Sequence, residues 1–270
     1  MREKIFFLVL ASGALSVPAA AQGPGDGPIQ SGYVIVTPSV STPGFSVFET
    51  FGERRGNEIT QAGVLSPDMT TNAMLFVTSS GRLSRNLAVA IANPGATDAN
   101  VTLTLRNDLG VVLATKNVAI KGKSQIAEFI TEMFTGVSAV PQDFAGSLGI
   151  TSGVPVAAIG LRFRGGNFST VPVTSLSAPS SVPIVSPGIG GTGAVVLPQF
   201  ATGGGWESEI VIANFGITSV TARVDIFKQD GSPLIANLNS QSKSSFTSIT
   251  IPPFGVFILS PRDSKGDSDF

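Results

Sequence analysis

The chain has 270 residues, a formal net charge of −1 and only 13% charged residues, while Ser and Thr together number 53. Its polar surface is therefore built mainly of hydroxyls. It contains no Cys and no His, which excludes a disulfide framework, thiolate or imidazole metal sites, and any mechanism that needs a histidine base. The near-neutral balance argues against a nucleic-acid footprint, and 42% apolar residues are enough to fill a core.

The N-terminus reads as an export signal. Arg2 and Lys4 precede an apolar run from Ile5 to Val17, followed by Pro18-Ala19-Ala20-Ala21-Gln22. A basic start, a short apolar stretch and small residues at −3 and −1 predict cleavage after Ala21. The run is about 13 residues, short of the roughly 20 that a spanning helix needs, and no later run reaches that length. The expected address is secreted or cell-surface, with no membrane span after cleavage. Residues 22–31 (QGPGDGPIQS) form a Gly/Pro tether.

From Tyr33 onward the periodicity is two. Ala99, Val101, Leu103 and Leu105 face one way; Asn100, Thr102, Thr104 and Arg106 face the other, as in a half-buried strand. Residues 107–110 (NDLG) read as a turn and 111–120 as the returning strand. Further strand-like runs lie at 33–37, 45–51, 58–65, 73–78, 86–93 and 168–173, with 144–150 and 155–163 reading as a hairpin. Ile126, Phe129, Ile130 and Phe134 approach helical spacing, with Gly136 as a stop, so one short helix is predicted near 124–134.

Self-comparison shows a repeat. A shift of 121 residues aligns 87–110 with 208–231 without a gap, and six of 24 positions are identical: Ile91-Ala92-Asn93, Gly95, Thr97 and Gly110 meet Ile212-Ala213-Asn214, Gly216, Thr218 and Gly231. Val101, Leu103 and Leu105 map onto Ala222, Val224 and Ile226. The predicted fold is all-β, two tandem Ig-like β-sandwich units at 32–176 and 193–261. A Pro/Ser/Gly linker at 177–192 joins them, and residues 262–270 form a polar, frayed tail. An outer-membrane barrel is the rival, but one Trp and one Tyr cannot supply its aromatic girdles.

Four segments carry a resemblance: 32–38 (GYVIVTP), 87–95 (LAVAIANPG), 144–163 with Val154-Pro155-Val156-Ala157-Ala158, and 197–206 with Gly203-Gly204-Gly205-Trp206. Together they resemble secreted bacterial repeat proteins of Ig-like type. The resemblance implies the fold and an extracytoplasmic address, and it implies no catalytic residues.

The chemical motifs resolve mostly into architecture. Residues 188–193 (GIGGTG) match a dinucleotide fingerprint, yet a Pro precedes them and strand-like residues follow, so they read as linker. Ser240-Gln241-Ser242-Lys243 matches S-x-x-K but falls in a polar turn. Glu207 and Glu209 share a strand face and read as solvated. Glycosidic chemistry would need them across a cleft. Asp225, Asp230 and Asn214 could add oxygen ligands for Ca²⁺, but no calcium-binding loop is present. No cofactor, metal or catalytic residue is assigned.

Candidate ligand-binding residues are Trp206, Arg162 and Arg164. The two arginines alternate with Leu161 and Phe163 and should point outward together. Arg54-Arg55 and the pair Arg82 and Arg85 read as solvated faces and loop tips. Trp206 follows three glycines and reads first as a plug closing the end of the second unit. The expected function is a non-enzymatic structural or adhesive one, by protein–protein contact at the cell surface. The alternative is a carbohydrate-binding module using Trp206 and the arginines on surface polysaccharide. Aligned at this offset the second copy lacks about two strands that the first has, so 244–259 is expected to offer an edge for another chain to add a strand.

Overall fold

The computed structural model describes residues 31–37, 46–55, 58–176 and 194–268. The expected export signal, most of the expected tether, the expected 177–192 linker and the GIGGTG match lie outside the described residues. The protein is all-β, with one helix of four residues among the described ones. No helix there is long and apolar enough to cross a membrane.

β1 (Phe48–Arg55) and β2 (Glu58–Leu65) form a separate antiparallel ribbon. An eight-stranded sheet follows. It comprises β3 (Thr70–Ser79), β4 (Arg85–Asn93), β5 (Ala99–Asn107), β6 (Val112–Ile120), β7 (Ser124–Phe129), β8 (Phe144–Arg164), β9 (Asn167–Val171) and β10 (Val173–Ser175). The 21-residue β8 is its spine. Residues 144–152 pair with β3 and β5; residues 157–164 pair with β4 and β9. The predicted hairpin at 144–163 is thus one strand that changes partners. Gly153-Val154-Pro155 lies at the changeover, where the N–H that Pro155 lacks is not needed by a ladder.

Because β8 serves both ladders, the sheet folds over its own apolar face. Leu75 and Val77 of β3, Leu103 and Leu105 of β5 and Leu148 of β8 enter one cluster with Leu87, Val89 and Ile91 of β4, all fully buried. The helix predicted near 124–134 shrinks to α1 (Ile130–Met133), and Ser124–Phe129 is strand instead. Each residue of β7 is half-buried, so no alternation marks it as a strand, while pairing with β4 from Ala88↔Phe129 to Asn93↔Ser124 supplies its backbone bonds. Residues 33–37 form no strand, and Val34, Ile35 and Val36 are exposed.

The 121-residue self-similarity has a close structural counterpart. The second copy is β11 (Ile210–Ala213), β12 (Val220–Asp225), β15 (Ser245–Ile251) and β16 (Val256–Leu259), with the small hairpin β13 (Ala236–Leu238) and β14 (Gln241–Lys243) inserted. Ala99↔Ile120 and Val101↔Val118 in the first copy become Val220↔Ile251 and Ala222↔Ile249 in the second. The offset therefore grows from 121 to 131 residues across the inserted hairpin. β4–β7 pairing recurs as β11–β16.

The conserved geometry centres on one amide. Asn93 Nδ2 donates to the carbonyls of Thr97, Ile120 and Lys121 at 2.8, 3.1 and 3.2 Å, and its Oδ1 accepts from Gly95 N–H at 3.1 Å. Asn214 donates to Thr218, Ile251 and Pro252 at 2.7, 3.1 and 3.0 Å and accepts from Gly216 N–H at 3.0 Å. Both amides are buried. Each ties the start of the second strand to the end of the third, a corner where backbone carbonyls would otherwise lack donors.

The second copy has its own smaller core, with Ile226, Leu238, Phe246, Ile251 and Leu259 buried. It rests on the first copy through the β5–β6 turn. Val256 N–H donates to Asp108 O at 2.8 Å and Ser147 Oγ donates to Phe254 O at 3.0 Å. The Arg106 guanidinium lies 4.7 Å over the Phe254 ring. Within the 244–259 segment expected to offer an edge, the Val256 N–H is thus taken up in cis, while β15 pairs on one side only, with β12.

The register makes a local prediction. Leu103 is fully buried and Thr104 half-buried. Leu103→Ala should cost roughly 2–5 kcal/mol and Thr104→Ala less than about 1 kcal/mol, read from urea denaturation midpoints.

Candidate functional site

The polar side chains converge where the two copies meet, not on the strand faces that the sequence suggested. Arg162 near the end of β8 reaches Glu209, just before β11. Its Nη1 lies 2.8 Å from Glu209 Oε1, with the two side chains only 20% and 6% exposed. Glu209 Oε2 accepts from Ser268 Oγ at 3.1 Å. Arg162 therefore does not point into solvent, and Glu209 is not on a solvated face. Glu207 is exposed two residues earlier, and Arg164 is exposed at the β8–β9 turn.

The tail expected to fray is clipped onto the same place. Residues 263–266 form a turn in which Asp263 Oδ1 accepts from the N–H groups of Lys265 and Asp267 at 2.9 and 2.8 Å. Arg82 holds Asp267 in a two-pronged ion pair. Arg85 Nη2 donates to Ser268 O at 2.7 Å, and Arg262 and Ser268 form an isolated bridge. Arg82 and Arg85 are thus clamps for the tail rather than free loop-tip charges.

Asp267 carries a pH signature. The hydrogen bond from Arg82, helped by its charge, holds the carboxyl below its usual range. A depressed folded pKa stabilises the clip above the unfolded value of about 3.9, and the contribution is lost as pH falls through the folded value. Amide protection at Asp267 and Ser268 should therefore drop below about pH 4, and Arg82→Gln should remove that pH dependence. Hydrogen exchange followed by NMR checks it.

Between these groups lies a cleft of about 170 Å³, walled by Phe76, Phe144, Arg85, Arg162, Ser260 and Arg262 among others. Arg262 Nε donates to Asn239 Oδ1 at 3.2 Å. Burial pushes the Arg85 pKa down, and the nearby Arg162, Arg164 and Arg262 charges push the same way against Glu209. Arg85 Nε and Ser260 Oγ are buried without a hydrogen-bond partner.

Trp206 is not a plug. It is 72% exposed, presented by a turn in which its N–H donates to Gly203 O at 3.0 Å. Gly203, Gly204 and Gly205 have φ of +88°, +62° and +84°, a left-handed run that strongly favours glycine. The turn thus lifts the indole away from the β-structure. The oxygen groups considered for calcium do not converge. Asn214 is engaged in its corner, Asp225 binds Arg223 and Ser245, and Asp230 binds Ser232. Among the described residues no acidic cluster could hold a metal. Of the S-x-x-K segment only Ser240 lies in the tight turn, where Asn239 and Ser240 have φ +49° and +60°; Gln241, Ser242 and Lys243 form β14.

Sequence reasoning missed Ser260, Arg262 and Asp267 as members of one place. Only contacts between segments far apart in the chain define it, as between Arg82 and Asp267, 185 residues apart. No protein-family model matches this chain, and neither curated proteins nor solved structures show a significant match to it.

Proposed function

We propose that this is a secreted, non-enzymatic structural or adhesive protein of two tandem Ig-like β-sandwich units, acting by protein–protein contact at the cell surface. The observation that carries the reading is the outward face of the β1–β2 ribbon. The register puts Phe48 opposite Leu65, and Ile59 on the same face opposite Arg54. These three apolar side chains are 70%, 74% and 55% exposed. The opposite face leans on the body through buried Ala62 and through Phe51, whose ring lies 5.2 Å from that of Phe168. A two-stranded ribbon is marginal by itself, and a displayed apolar face suits a contact surface. β1 also has no strand on its far side among the described residues, so the ribbon offers an edge for strand addition as well.

Two further features support the reading. Of the three carboxylates lining the junction cleft, Glu209 is engaged by Arg162 and Asp267 by Arg82, while Asp143 is exposed at its rim. The basic start and Ala19-Ala20-Ala21 support export, and mass spectrometry of the mature protein should find Gln22 at its N-terminus. The double variant Phe48→Ser/Leu65→Ser tests the contact. It should keep the wild-type unfolding midpoint but lose most of the protein's retention on washed host cells. Equal retention of both would overturn the reading.

Exposed Trp206 favours a second reading, carbohydrate binding, because an indole face stacks on sugar rings. In that reading the polar contacts come from the arginines, of which Arg162 bonds Glu209 and Arg164 is exposed at the β8–β9 turn. Trp206→Ala should then abolish retention on immobilised surface polysaccharide and leave stability unchanged.

A further inference from the structure

The junction cleft holds more cationic hydrogen-bonding capacity than the protein itself satisfies. Of the guanidiniums lining it, Arg82 and Arg162 have carboxylate partners. Arg85 and Arg262 instead donate to neutral oxygens, Ser268 O and Asn239 Oδ1. Arg85 Nε has no acceptor at all, although it is buried. Ser260 is fully buried, lines the same cleft, and its hydroxyl also has no partner. Buried polar groups are normally paired, so two orphans lining one cavity call for an explanation.

Water alone explains this poorly. The positive field of the neighbouring arginines already weighs on Arg85, in addition to its burial, and water brings no charge to offset it. A carboxylate, sulfate or phosphate group brings both acceptor oxygens and negative charge. Guanidinium forks suit such groups geometrically, and charge-assisted hydrogen bonds of this kind are the strong ones. The cleft volume of about 170 Å³ equals several waters at roughly 30 Å³ each, room for an oxyanion with a small organic part. Phe76, Phe144 and Ile258 give that part an apolar wall.

We propose that the cleft between the two copies is a binding site for a small oxyanionic ligand, held by Arg85, Arg262 and Ser260 and closed by the tail that Arg82 clips down. The ligand group would accept from Arg85 Nε and Ser260 Oγ–H. The site involves neither the β1–β2 ribbon nor Trp206, so it stands or falls independently of the reading above.

The test uses the full mature chain at constant ionic strength set with chloride. Calorimetric titration with sulfate, phosphate, acetate and glucuronate is read alongside the thermal midpoint. One saturable site is expected, with a raised midpoint. Ser260→Ala and Arg262→Gln should each weaken binding about tenfold or more, whereas Arg223→Gln, far from the cleft, should bind as wild type. Tighter binding of glucuronate than of acetate would support an acidic sugar as the source of the group. Binding confined to sulfate and phosphate would support a free inorganic anion. No saturable binding, or binding that Ser260→Ala and Arg262→Gln leave unchanged, would overturn the proposal. If either variant has a lowered midpoint without ligand, Ser260→Cys and Arg262→Lys serve as milder replacements under the same criteria.

Discussion

Asn93→Ala is expected to cost about 3–4 kcal/mol, more than any other polar substitution in the first copy. The side chain is fully buried and serves four backbone groups. Alanine would leave the carbonyls of Thr97, Ile120 and Lys121 and the N–H of Gly95 without that partner. Leaving a buried group unpaired costs about 1–3 kcal/mol, and water could reach only some of them. Asp is no remedy, because a carboxylate cannot donate to three carbonyls. Asn214→Ala removes the same set of bonds from the smaller second core, at 7% exposure, and should cost about 2–3 kcal/mol. Asn100→Ala, on the exposed side of β5, should stay within about 0.5 kcal/mol. Urea denaturation of the three variants checks the order. Equal effects at positions 93 and 100 would show that the amide does not hold the corner.

The second large effect comes from a matched pair of glycines. Gly110 and Gly231 occupy the same turn of the two copies, both with φ +81°. Each N–H donates to the residue three before it, Asn107 O or Lys228 O, at 3.0 Å. Their surroundings differ. A Cβ at Gly231 meets nothing within 4 Å, whereas a Cβ at Gly110 runs into the backbone carbonyl of Pro253 in the second copy. Gly231→Ala should therefore show only the left-handed backbone cost, about 1 kcal/mol. Gly110→Ala should add about 1–3 kcal/mol of steric strain and loosen the docking of the copies. The difference between the two isolates the value of that docking. It should be accompanied by faster amide exchange at Val256, whose N–H crosses the junction.

The sequence was most legible where local patterning and long-range structure agree. The alternation from Ala99 to Arg106 is the β5 strand, because one face meets the core and the other meets solvent. The identities at Asn93, Gly95, Thr97 and Gly110 are the atoms of the corner and of the turn, which is why they stand out against a diverged background. Legibility failed where burial does not alternate. β7 is half-buried throughout, so Ile126, Phe129 and Ile130 fitted a helix as well as a strand. In β8 the Gly153-Val154-Pro155 sequence has turn chemistry, but it marks an exchange of neighbours within one continuous strand. The return strand of the second copy was hidden by the inserted β13–β14 hairpin. Trp206 was misplaced because three glycines can either seat a side chain or hold it out, and their φ values decide for the latter.

The junction was the least legible part. Glu209, Ser260 and Asp267 carry no local signal, since an isolated acid or serine in a β-rich chain reads as surface. Glu209 and Asp267 take their roles from Arg162 and Arg82 of the other copy, Ser260 comes beside them only through the fold, and no period or motif links residues that far apart. The exposed ribbon face could be read only in part. The β2 run was legible, but which side of the ribbon faces outward is set by its packing on Phe168.

The central claim, that this protein works by contact through the β1–β2 ribbon, is tested most directly by site-specific photocrosslinking in its native host. A photoreactive residue at Leu65 or Ile59 should yield a discrete adduct with another protein chain. The same probe at Leu109, which is 62% exposed in the β5–β6 turn, should not. Absence of an adduct from both ribbon positions, or equal adducts from the ribbon and Leu109, would contradict the account.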